Sequence, residues 1–63
     1  MMNNKKELDR AERIIFTVDE CHLLLDSIYE GLVDREFASA KSDAIKLIGE
    51  LKIIIRSTEN DDY

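Results

Sequence analysis

Apolar residues recur four and three apart through two stretches of this chain, and almost nowhere else. In the first stretch Ile14, Val18, Cys21, Leu25, Ile28 and Leu32 follow that rhythm, with Leu8, Ala11 and Ile15 extending it toward the N-terminus. At 100° per residue these positions share one broad face, which is the signature of an amphipathic helix. In the second stretch Phe37, Ala40, Ala44, Leu47, Leu51 and Ile54 repeat the rhythm, and Ile48 and Ile55 widen it. The segment Leu51-Lys52-Ile53-Ile54-Ile55 is β-branched enough to read as a strand. No second strand exists for it to pair with, so helix is the better reading. With no proline and two glycines, nothing else interrupts either pattern.

The break between the stretches sets the topology. Gly31 fits the position just past a helix end, where a left-handed backbone costs glycine little. Asp34 fits an N-cap, and Glu36 suits the positive end of a following helix dipole. This predicts a helix over about 5–30, a turn at 31–34, and a second helix over about 35–56. The polar tail 57–63 is expected to be disordered. A short connection of this kind joins antiparallel neighbours. The chain is therefore expected to be all-α, a single two-helix hairpin domain.

Such a hairpin is short of core. Sixty-three residues bury little surface on their own, and each helix carries an apolar arc wider than one neighbour can cover. Small domains compensate with disulfides, metals or oligomerisation. One cysteine, Cys21, makes no internal disulfide, and no CxxC or HxxxH spacing offers zinc a site. The remaining compensation is self-association into a four-helix bundle. Ile14, Val18, Cys21, Leu25, Ile28, Leu47, Leu51, Ile54 and Ile55 are the expected dimer contacts. Phe16 and Leu23 lie seven apart on the opposite face of the first helix, and Ile53 lies opposite the main stripe of the second. These three are the candidate surface for another protein.

Charge is unevenly placed. Residues 19–36 hold six acids and one base, as much negative charge as the whole chain's net −5. Lys5, Lys6, Arg10, Arg13, Lys52 and Arg56 collect at the open end of the hairpin. An acidic balance disfavours a general nucleic-acid binder. The alternative kept open is an RNA contact through Lys5, Lys6, Arg10 and Arg13, whose cations could meet phosphates. In size and layout the hairpin resembles Rop, a small plasmid-copy regulator that dimerises into a four-helix bundle and binds paired RNA loops. It resembles the hairpin co-chaperones of type III secretion, and short hairpin inhibitors of kinases and transcription factors, equally well. There is no shared motif, so no residue role is carried over.

Catalytic chemistry finds no foothold. Asp19 and Asp26 flank His22 at three and four residues, but the Glu-x-x-His pattern of di-iron bundles is absent. Cys21 and His22 are adjacent and so point about 100° apart on a helix, unable to form a nucleophile pair. Cys21 reads as a small buried residue, and His22 and Tyr29 as residues at the core boundary. No glycine-rich phosphate loop or nucleophile elbow occurs. The expectation is a non-enzymatic protein-interaction module (a regulator, adaptor or co-chaperone) with no cofactor and no metal. An obligate subunit of a hetero-oligomeric helical complex is a further alternative. No apolar run is long enough for a membrane span and no apolar leader follows the N-terminal lysines, so a cytoplasmic protein is expected.

Overall fold

The computed structural model describes residues 4–59. They form two α-helices, α1 over Asn4–Val33 and α2 over Phe37–Glu59, packed against each other as an antiparallel hairpin. Its Cα envelope measures 51 × 15 × 8 Å, one helix thick.

The turn differs from its sequence reading. Gly31 is inside α1, and the helix runs on through Leu32 and Val33. The Glu36 N–H donates to the Gly31 carbonyl at 2.7 Å, and the Arg35 N–H to the Leu32 carbonyl at 3.1 Å. Those two bonds are the pair that closes a Schellman motif, satisfying carbonyls the last turn would leave orphaned. The left-handed residue of that motif is Arg35, at φ 60°. Gly31 instead marks where the helices meet: a Cβ built on it would stand 3.5 Å from the Ala40 Cβ, in ordinary van der Waals contact. Likewise Asp34 is not the N-cap. The Ala40 N–H donates to the Glu36 carbonyl at 3.0 Å, which makes Glu36 the cap residue and Phe37 the first residue of α2.

The other end also runs longer than expected. Ser57, Thr58 and Glu59, read from sequence as the start of a disordered tail, belong to α2. The rest of that tail, including Tyr63, lies outside the described residues. Arg10 explains part of the extension. Its Nε donates to the Ser57 carbonyl at 2.9 Å, and its Nη2 reaches the same oxygen. Ser57 lies in the last turn of α2, so a cation meets a carbonyl at the negative end of the helix dipole.

Between these two ends runs the seam. The residues that the hairpin shields are Arg10, Ile14, Thr17, Val18, Cys21, Leu24, Ile28 and Gly31 on α1, and Ala40, Asp43, Ala44, Leu47, Glu50, Ile54 and Ser57 on α2. Apart from Val18 and Ala44, which flank the seam at e positions, both sets alternate by three and four, the spacing of coiled-coil a and d positions. Ile14, Cys21 and Ile28 are the a residues of α1; Ala40, Leu47 and Ile54 are those of α2. The d positions carry mostly polar or small residues. Ser27, beside the seam, donates to the Asp43 carboxylate across it, and Thr17 returns its hydroxyl proton to the Arg13 carbonyl at 3.2 Å. The resulting core is thin: Cys21 and Ala40, each 6% exposed, are its buried apolar side chains.

Candidate functional site

Heptad geometry defines what remains uncovered. An e position lies roughly 75° around the helix from the a/d seam, and a b position lies somewhat beyond it. On α1 the e and b residues are Leu8, Ala11, Ile15, Val18, His22, Leu25, Tyr29 and Leu32, again alternating by three and four. On α2 they are Phe37, Lys41, Ala44, Ile48, Leu51, Ile55 and Thr58. The helices run antiparallel, so this rotation is clockwise on one and anticlockwise on the other when both are viewed from one end. Both stripes therefore fall on the same broad side of the hairpin.

That side is largely apolar and mostly open to solvent, interrupted by His22, Lys41 and Thr58, with Val18 and Ala44 half-buried at its inner edge. Leu8, Ile15, Leu25, Tyr29, Leu32, Phe37, Ile48, Leu51 and Ile55 are all exposed, Tyr29 to 70% and Phe37 to 65%. Tyr29, read from sequence as a boundary core residue, is thus a surface residue of this face. The accessible area of this elongated chain is also large for its mass. The chain exposes 5340 Å², where a compact monomer of 7.3 kDa would expose about 4200 Å².

The nine expected dimer contacts divide between the two interfaces. Ile14, Cys21, Ile28, Leu47 and Ile54 are spent on the seam within the chain. Leu25, Leu51 and Ile55 lie exposed on the outward e/b face, and Val18, at an e position, is half-buried between that face and the seam. Leu8, Ile15, Tyr29, Leu32, Phe37 and Ile48 complete that face and were not among the nine. The signal that could have found them is the second three–four rhythm, offset by one residue from the first.

The other broad side carries Phe16 and Leu23 at c positions and Ile53 at a g position. Phe16 is 66% exposed and Leu23 62%. The register set by Arg10 against Ser57 and Gly31 against Ala40 places Phe16 level with Ile53. A shallow open groove runs beside Phe16, lined also by Asp9, Glu12, Arg13 and Thr17.

The residues considered for other chemistry are scattered. Cys21 is a buried free thiol in the seam, while His22 is exposed on the e/b face. No group of three or more histidine, cysteine or carboxylate side chains gathers among the described residues. Of the four cations considered for RNA, Arg10 is occupied with the α2 terminus and Arg13 is exposed. The side chains of Lys5 and Lys6 lie outside the described set. Among the described residues no helix is long and apolar enough to cross a membrane. No protein-family model, curated protein or solved structure matches the chain.

Proposed function

We propose that this chain is a small non-enzymatic protein-interaction module that works as a homodimeric four-helix bundle in the cytoplasm. The observation that carries the reading is the e/b face: two helices, each with a second, largely apolar stripe, turned to the same side and mostly uncovered. A helix with two apolar stripes is built for two neighbours, and the hairpin supplies one. The Cα envelope of 51 × 15 Å corresponds to about 800 Å² per chain, the size of a standard stable interface.

Dimerisation through that face leaves the opposite one outward. Phe16, Leu23 and Ile53 then appear twice, on opposite sides of the bundle, as the surface offered to a different protein. An aromatic that lines a charged groove, with an exposed leucine one heptad further along the same face, suits a binding patch better than a solvated helix side. Regulator, adaptor and co-chaperone all describe such an object. The RNA-binding alternative draws less support, because Arg10 is already committed to its own hairpin.

Light scattering with circular dichroism across a dilution series tests the reading. A helical particle of twice the 7.3 kDa chain mass is expected. A weakly helical monomer would overturn it and leave the e/b face to a heterologous helical partner.

A further inference from the structure

We infer that the second copy lies on the e/b face head to tail, with its turn over the open end of the first, so that α1 packs on α1 and α2 on α2. The inference rests on the dimer reading and specifies its geometry. Four layers cross the centre of the face, each with one e residue from each helix. From the turn outward they are Leu32 with Phe37, Leu25 with Ala44, Val18 with Leu51, and Ala11 with Thr58.

Head-to-tail docking sets the first layer on the fourth and the second on the third. Leu32 and Phe37 then meet Ala11 and Thr58, two large side chains against two small ones. Leu25 and Ala44 meet Val18 and Leu51, and all the layers fill to similar volume. Docking with both turns at one end stacks each layer on itself instead. Four large side chains then crowd the turn, and two alanines with two threonines face each other at the far end. Evenly filled, interdigitating layers are what a close-packed core requires. The misfit of crowding or voids shifts an equilibrium roughly five- to hundredfold.

Long-range charge points the same way. The turn half, residues 19–46, holds seven acids against three bases; residues 5–18 and 47–59 hold five acids against six bases. Head-to-tail docking sets the acidic half over the near-neutral half rather than over itself. One local effect opposes it: Asp19 and Asp26 edge α1, and α1 on α1 brings Asp19 near the other copy's Asp26. With both turns at one end, Asp19 would instead approach Lys52. Exposed pairs shift an equilibrium by about fivefold at most, so the layers decide.

The arrangement places His22 beside its own copy at the two-fold axis and separates the two Leu32 positions by about 30 Å, at 1.5 Å per residue. In a Cys21→Ala background, His22→Cys and Leu32→Cys each carry a single thiol for bridging by a short bismaleimide. His22→Cys should run as a covalent dimer on a denaturing gel, and Leu32→Cys as a monomer. The reverse pattern overturns the inference in favour of turns at one end. A particle of dimer mass that bridges at neither position overturns the face assignment, whereas a monomer overturns the dimer itself. Asp19→Lys, which leaves core and thiol intact, gives a second reading: association a few-fold tighter is expected, and association a few-fold weaker overturns the head-to-tail geometry.

Discussion

Gly31 and Ala40 bring the two helices into contact beside the turn, with 3.5 Å between the Ala40 Cβ and the position a Cβ on Gly31 would take. That distance is ordinary van der Waals contact, and Gly31 has a helical backbone. Gly31→Ala therefore recovers helix propensity of about 1 kcal/mol without a clash, and the thermal midpoint should rise. A left-handed Gly31 would give the opposite sign, a loss of roughly 1–2 kcal/mol. Gly31→Leu should lower stability by about 1–3 kcal/mol by forcing the helices apart. Denaturant unfolding of both variants reads the signs.

Arg35 occupies the left-handed position in place of a glycine. An L-residue there carries a steric cost that glycine does not, offset in part by glycine's greater freedom when unfolded. Arg35→Gly should stabilise the hairpin by about 0.5–1 kcal/mol. Arg35→Val, β-branched, should destabilise it by a similar or larger amount. An unchanged urea midpoint in both variants would mean that the turn is not closed in this way.

The helical periods, the single break and the antiparallel layout were legible in the sequence because each is a local pattern. The division of the apolar arc was not. The stripe Ile14, Val18, Cys21, Leu25, Ile28 reads as one surface, yet Ile14, Cys21 and Ile28 face α2, Leu25 faces outward and Val18 sits half-buried between them. Polar residues at d positions hid the seam: Arg10, Thr17, Asp43 and Glu50 do not read as core, and shielding of such residues depends on which neighbour arrives. The turn was misread because a glycine suits either of two physical demands, a left-handed backbone or a close approach, that sequence alone does not separate.

Arg10 is the clearest case of a side chain whose use only the fold reveals. Both of its contacts go to the Ser57 carbonyl. Hydrogen bonds from a charged group to a half-shielded acceptor contribute about 1–2 kcal/mol, so Arg10→Met should lower stability by that amount. Fraying should concentrate in the last turn of α2, seen as faster amide exchange near Ser57 than at Leu47. Equal exchange rates in the variant and the parent would remove the capping role.

The two broad faces should separate by mutation. Leu25→Glu with Ile48→Glu puts two carboxylates into the centre of the e/b face. Burying an unpaired charge there is far costlier than leaving it in water. These changes should shift the chain to monomer and reduce helicity, because the hairpin seam alone buries little. Phe16→Glu with Leu23→Glu makes the same chemical change on the other side. It should leave mass and helicity within error of the parent and abolish recovery of any protein that the parent dimer captures. Dissociation caused by the Phe16 and Leu23 changes, with none from the Leu25 and Ile48 changes, would exchange the roles of the two faces.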